Sequence, residues 1–146
     1  MAEHDVSITT TFEVAEFISR ITGNLEILDT ALENIRKFHS AGVRIAVGTD
    51  RMKDVLRNRP TIPLGEYHHL LNCGLTLYEV ITAATKNSAY VCGLEQKTGA
   101  IRPGMWANII ATSLPLDESL SALGHIEFVM NRGTVIRISL YNINAS

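Results

Sequence analysis

The sequence places one carboxylate, Asp50, where a buried strand is expected to end. The apolar run Val43–Val47 is short and rich in β-branched residues, as is typical of a strand buried in a parallel sheet. Gly48-Thr49-Asp50 follows it directly. In α/β enzymes the loops at the carboxyl ends of such strands carry the reactive groups, so Asp50 is a candidate for chemistry. The same tripeptide is also ordinary turn chemistry, and the local signal leaves both interpretations open.

The composition excludes several classes of protein. The chain has 146 residues and is 46% hydrophobic, which is enough for one domain with a sizeable core. A net charge of −2 without a basic patch argues against nucleic acid as a partner. No apolar run approaches the roughly 20 residues of a membrane span, and no signal-peptide pattern opens the sequence. Cys73 and Cys92 fit no CxxC motif and indicate buried thiols in a reducing cytoplasm.

Helices are expected before the candidate strand. Residues 1–9 predict a loose start, and Thr10-Thr11-Phe12-Glu13 predicts a capping box in which Thr10 caps the helix and Glu13 reaches back. That helix is expected to run through about Ile21 and to end near Gly23.

A second helix is predicted over Asn24–Ala41, with Asn24 as its N-cap and Gly42 as a left-handed C-cap. Its apolar residues recur at intervals of three and four, which predicts one buried stripe. The stripe comprises Leu25, Leu28, Leu32, Ile35 and Phe38.

After Asp50 the sequence predicts a loop over Arg51–Pro63 and a short helix over Leu64–Cys73. Thr76-Leu77-Tyr78-Glu79 is the clearest capping box in the chain, and the helix that it starts is expected to reach about Cys92.

The remainder predicts a small all-β region. Strands are expected over Ala107–Thr112, Ile126–Met130 and Thr134–Ile138, and Asn131-Arg132-Gly133 predicts a hairpin turn between the last two.

Seven short motifs stand in one order along the chain. They are Ala41–Asp50, Gly74–Thr85, Asn87-Ser88-Ala89, Cys92-Gly93-Leu94, Gly99–Gly104, Ala107–Ile110 and Val129–Val135. In that order and spacing they resemble the C-terminal part of the metal-dependent amidohydrolase superfamily, nearest to its imidazolonepropionase and Xaa-Pro dipeptidase branch.

The resemblance implies an α/β fold, the terminal portion of a (β/α)8 barrel with its last strand and flanking helices, followed by a small β domain segment. On this basis residues 1–23 are an N-terminal helical segment, 24–96 the end of the barrel and 97–141 the β-domain strands. The family binds one or two divalent metals, with zinc expected here, and acts on small-molecule amides, cyclic amides or dipeptides. By resemblance, Asp50 is a metal ligand and the catalytic base that takes a proton from the attacking water.

Three further residues are candidates for the rim of the active face. Arg51 stands where the family usually has a small or apolar residue, and a cation there would favour ionised Asp50 but compete with a metal. Glu66 falls where the family often has an acidic residue, although a solvated first-turn carboxylate favoured by the helix dipole explains it better. His68 follows the loop and is either a rim residue or an ordinary helix residue. Its side chain diverges by about 100° from that of His69, so the two suit one metal poorly.

A whole barrel needs about 250 residues, and the sequence shows one barrel strand and no His-x-His. Two hypotheses follow. Either the chain works only within a complete barrel, whose remainder comes from a complementing upstream chain or was lost by truncation or gene fission, or it is a non-catalytic scaffold or interaction module. Both hypotheses predict self-association as a homo-oligomer, because lone barrel strands leave hydrogen bonds and an apolar face uncovered. A third, less favoured alternative is an independent fold.

Overall fold

The computed structural model describes residues 5–50, 62–116 and 119–138. The α-helices are α1 (Phe12–Thr22), α2 (Glu26–Ser40), α3 (Leu64–Asn72), α4 (Leu77–Thr82) and α5 (Ser88–Val91). The strands are β1 (Ser7–Thr10), β2 (Arg44–Val47), β3 (Ile109–Thr112), β4 (Ile126–Asn131) and β5 (Thr134–Ile138). Within these described ranges no helix is long and apolar enough to cross a membrane.

β1 and β2 form a parallel two-stranded sheet, in register from Ser7 opposite Arg44 to Thr10 opposite Val47. The strand predicted over Val43–Val47 is confirmed. The loose start predicted over residues 1–9 is wrong from Ser7 onward, where β1 begins, and residues 1–4 lie outside the described ranges. β1 is four residues long and buries only Thr10 fully, so its own sequence carries little strand signal. Its conformation is fixed by pairing with β2, 37 residues further along the chain.

The start of α1 also differs from the prediction. The helix begins at Phe12, its N-cap Thr11 makes no side-chain capping bond, and Thr10 is the last residue of β1. The capping box predicted over Thr10–Glu13 is therefore wrong. The Glu13 amide donates to Glu66 Oε1 at 2.6 Å, so a carboxylate from α3 caps this helix. The predicted end is confirmed, because Gly23 follows the helix with a φ of +70°.

α2 follows the predicted pattern except at its first turn. Asn24 Oδ1 accepts the Glu26 amide at 3.0 Å, and Gly42 has a φ of +69°, as a left-handed residue after a helix requires. Ile35 is buried in the core, but Leu25 is 71% exposed and does not extend the predicted stripe.

The capping box at Thr76 is confirmed. The Glu79 amide donates to Thr76 Oγ1 at 3.3 Å, and the Thr76 amide donates back to Glu79 Oε2 at 2.7 Å. The helix is not uniform, however. α4 passes into a π-helical turn over Ala83–Asn87 before α5 resumes, and the sequence pattern does not predict this turn.

One hydrophobic core joins the helices to β2. It includes the fully buried side chains of Phe12, Leu70 and Val80, together with Leu120 and Leu123 from a 3₁₀ helix over Leu120–Gly124. That short helix therefore anchors the β3–β5 region to the α/β core.

β3, β4 and β5 form an antiparallel sheet in that order. The predicted strands and hairpin are confirmed. Arg132 and Gly133 have φ values of +48° and +84°, as expected for a type I′ turn. Of the two thiols predicted to be buried, Cys73 is buried but Cys92 is exposed, because it stands at the end of α5.

Candidate active site

Two loops leave the same edge of the parallel sheet. β1 ends at Thr10 and β2 at Val47, and the Gly48 amide continues the pairing by donating to the Thr10 carbonyl at 3.0 Å. Asp50 lies two residues beyond Gly48, exposed and with a φ of +46°. Aspartate tolerates this left-handed conformation better than most residues, and such positions cluster at functional sites. The structure therefore presents the Asp50 carboxylate to solvent at the carboxyl edge of the sheet.

Gly48 lets the two strand ends approach closely. A Cβ at this position would lie 2.7 Å from Thr9 Cγ2, closer than real Cβ atoms come, and 3.1 Å from the Thr10 carbonyl oxygen, which is tighter than most real Cβ contacts. The glycine before Asp50 is thus required by packing as well as by turn chemistry.

The other edge of β2 is covered by two polar side chains that sequence reasoning missed. Asn87 Nδ2 donates to the Ile45 carbonyl at 2.8 Å, and the Val47 amide donates to Ser88 Oγ at 3.2 Å. In the sequence, Asn87-Ser88-Ala89 is one of the seven motifs of the family resemblance, which assigns no role to Asn87 or Ser88. The signal that could have drawn attention to them is the polar run Thr85-Lys86-Asn87-Ser88, which interrupts an alanine-rich helical segment.

Glu66 is fully buried, so its interpretation as a solvated first-turn carboxylate is wrong. Burial is the main cause that raises the pKa of Glu66, and hydrogen bonds from the backbone of Glu13 and Phe12 oppose it. Thr10 also faces this carboxylate, yet Glu66 Oε2 and Thr10 Oγ1 each lack a hydrogen-bond partner. The Glu13 side chain lies against Gly65 of α3, where an added Cβ would come within 3.0 Å of Glu13 Oε1.

The two adjacent histidines of α3 face different surroundings. His68 is exposed. The ring of His69 lies 5.3 Å from that of Phe12, and its Nε2 lies 3.3 Å from Glu16 Oε2. His69 therefore packs α3 against α1. Arg51 and residues 52–61 of the predicted loop lie outside the described residues, so the rim role of Arg51 and the loop itself stay predictions.

These candidates do not form a metal site by themselves. The described ranges contain no group of three or more His, Cys, Asp or Glu side chains placed to hold a metal ion. Zinc sites use three or four protein ligands, and Asp50 offers one carboxylate. The described residues alone therefore do not fit a catalytic metal, and a metal centre here needs ligands from outside them.

A separate polar cluster lies at the opposite end of β2. The Arg44 guanidinium stacks 3.6 Å from the centre of the Tyr90 ring and donates to Asp5 Oδ1 at 2.8 Å. Tyr90 also donates its hydroxyl proton to Asp5. Because Arg44 opens β2 and Asp50 follows its end, this cluster lies at the amino end of the strand, away from the carboxyl edge that carries Asp50.

The model of the amidohydrolase family matches residues 1–139. The chain belongs to the amidohydrolase family. Among curated relatives, it is 30% identical over 108 residues to the imidazolonepropionase of Brevibacillus brevis, covering 70% of this chain and 25% of that protein. It is 28% identical over 121 residues to the imidazolonepropionase of Geobacillus kaustophilus, covering 80% of this chain and 28% of that protein. The chain thus spans about a quarter of the length of these relatives.

Solved structures agree on the fold. A crystal structure of an amidohydrolase superposes with a TM-score of 0.81 at 25% identity, covering 96% of this chain and 36% of that one. A Xaa-Pro dipeptidase with methionine bound in its active site superposes with a TM-score of 0.79 at 24% identity, covering 94% of this chain and 36% of that one. The predicted family and the α/β fold class are confirmed.

Proposed function

We propose that this chain is the C-terminal segment of a metal-dependent amidohydrolase and that it hydrolyses a C–N bond only when the rest of the (β/α)8 barrel is supplied. The observation that carries the proposal is the exposed Asp50 carboxylate at the carboxyl edge of two parallel strands. In (β/α)8 enzymes that edge is where catalytic groups stand. The partial coverage of every relative described above supports the second half of the proposal.

Asp50 is the catalytic residue that this chain contributes. Its ionised carboxylate accepts a proton from the water that attacks the scissile carbonyl, which is general base catalysis. A bound divalent metal, zinc in our proposal, would acidify that water, with its other ligands coming from outside the described residues. Because the curated relatives are imidazolonepropionases and one solved neighbour is a Xaa-Pro dipeptidase, we propose a small cyclic amide or a dipeptide as substrate.

The test is reconstitution. The chain is mixed with the upstream segment of an imidazolonepropionase, with zinc present, and hydrolysis of imidazolonepropionate and of Xaa-Pro dipeptides is measured. Asp50→Asn keeps the shape of the side chain but removes the base, so we expect activity to fall by at least about 100-fold. Glu26→Gln, an exposed carboxylate in the first turn of α2, is the matched control and should leave activity unchanged. Full activity in Asp50→Asn would refute the assignment.

The second candidate function is a non-catalytic scaffold or interaction module, and it is favoured by the lack of a metal-binding group among the described side chains. Elemental analysis after dialysis separates the two. Stoichiometric zinc in the reconstituted complex supports the hydrolase, whereas a metal-free complex supports the scaffold.

Self-association remains part of both proposals, and the structure favours one route for it. Asn87 and Ser88 cover the outer edge of β2, whereas β1 has no second partner strand within the described residues. An added strand, from another copy or from an upstream segment, would therefore pair with β1. Light scattering of the purified chain, with and without that segment, measures the outcome.

A further inference from the structure

The outer edge of β2 carries backbone groups that need partners. The Gly48 amide bonds to β1, and strand groups alternate in direction, so the groups of Ile45 and Val47 point away from β1. Ala46 is almost fully buried and Val47 partly buried, so water reaches this segment poorly. Buried backbone groups left without partners would destabilise the strand end that precedes Asp50.

The last residue of the π-helical turn, Asn87, and the first residue of α5, Ser88, supply those partners. Asn87 donates to the Ile45 carbonyl, and Ser88 Oγ accepts the Val47 amide while donating its proton to the Ala83 carbonyl at 2.8 Å. The turn has i to i+5 bonding, which adds one residue to a helical turn and changes the direction of the side chains that follow it. Two side chains of one helical segment thereby meet successive outward-facing groups of β2.

We propose that Asn87 and Ser88 are positioning residues for Asp50. They hold β2 on one edge while the bond between Gly48 and Thr10 holds it on the other, and this fixes where the strand ends and where the Asp50 loop begins. The inference rests on the proposed function for its catalytic consequence. The contacts themselves can be tested on the chain alone.

The first experiment measures amide hydrogen exchange by NMR in the full chain. Ser88→Ala removes the acceptor of the Val47 amide, so we expect Val47 to exchange about three to ten times faster relative to Val80, whose buried amide reports global opening. Thr85→Val is the matched control, because the Thr85 hydroxyl donates to the Ile81 carbonyl within its own helical segment and bonds to no group of β2 among the described residues. An unchanged Val47 to Val80 ratio in Ser88→Ala, or an equal change in Thr85→Val, overturns the proposal.

The same spectra test the effect on Asp50. Its amide and carboxylate resonances should move in Ser88→Ala and in Asn87→Asp, which has the shape of asparagine but no proton to donate to Ile45. They should stay in place in Thr85→Val. If the Asp50 resonances move in neither Ser88→Ala nor Asn87→Asp, the positioning role is refuted even if Val47 loses protection.

In the reconstituted complex, Ser88→Ala and Asn87→Asp should each lower kcat about tenfold with KM unchanged, since a displaced base slows chemistry and leaves substrate binding intact. An unchanged kcat overturns the catalytic part of the inference. If the unmodified complex shows no hydrolysis, the proposed function fails, while the exchange and resonance measurements still decide whether Asn87 and Ser88 position Asp50.

Discussion

Replacing Glu66 tests the most unexpected contact in the fold. Its carboxylate is fully buried, caps the first turn of α1 through the Glu13 amide and keeps one oxygen without a hydrogen-bond partner. Glu66→Ala removes the cap and leaves a void, whereas Glu66→Gln keeps an oxygen that can accept the same amide. The amide group of glutamine also has protons that can reach the unpartnered Thr10 hydroxyl.

The size of each effect follows from these contacts. A hydrogen bond to a charged group contributes about 1.5–3 kcal/mol, and relief of a buried charge offsets part of its loss. We expect Glu66→Ala to lower the free energy of unfolding at pH 7 by about 2 kcal/mol. Glu66→Gln should lie within about 1 kcal/mol of the parent chain, on either side. The control Glu26→Ala removes an exposed first-turn carboxylate and should change stability by less than about 0.5 kcal/mol.

The pH dependence gives a second readout with a defined sign. Burial raises the pKa of Glu66 in the folded state above its unfolded value, so the folded state binds the proton more tightly. The contribution of Glu66 to the free energy of unfolding is therefore fully present below its pKa in the unfolded chain. It is lost as pH rises through its pKa in the folded chain. Glutamine does not titrate and so does not lose stability in this way. The free energy of unfolding of Glu66→Gln should therefore increase relative to that of the parent chain as pH rises from about 4.5.

Urea denaturation followed by circular dichroism at several pH values measures both effects. A loss in Glu66→Gln as large as that in Glu66→Ala would show that the charge, rather than the acceptor, holds α1, and would refute the reasoning. A stability difference between Glu66→Gln and the parent that does not change with pH would refute the assigned direction of the pKa shift.

Three further predictions concern stability measured by the same denaturation assay. Hydrogen bonds from the N-cap threonine hold the pKa of Glu79 at about 2. Glu79→Gln should therefore lower the free energy of unfolding by about 1 kcal/mol at pH 7, a value kept small because the side chain is 45% exposed. This difference should vanish as pH falls from about 4.5 towards 2. Gly48→Ala should lower the free energy of unfolding by about 1–3 kcal/mol, because the added methyl clashes with β1. The control Gly124→Ala has no atom within 4 Å of the added methyl and should be nearly neutral. Equal effects of the two variants would contradict the packing argument. Leu70→Ala should lower the free energy of unfolding by about 2–5 kcal/mol, because Leu70 is fully buried. The control Leu25→Ala, at a position 71% exposed, should change stability little. A large loss in Leu25→Ala would place Leu25 in the core.

Local sequence rules located most element ends in this chain. Gly23 and Gly42 end helices because a left-handed residue costs glycine little, and Thr76 with Glu79 starts one because the two groups satisfy each other's amides. The Arg132-Gly133 turn connects its strands for a similar local reason. Each rule involves residues only a few positions apart, so the sequence alone is sufficient.

Contacts between distant parts of the chain determined the rest. Three of these contacts join distant residues. Residues that pair β1 with β2 are 37 positions apart, Glu66 caps α1 from 53 positions away, and Asn87 covers β2 from 42 positions away. No local pattern encodes such pairs, because each side chain has an ordinary local role that its partner overrides. The sequence therefore determined the family, the helices, the hairpin and the candidacy of Asp50. The folded chain alone determined which groups hold the strand end before Asp50, because those hydrogen bonds exist only after segments about 40 residues apart have packed together.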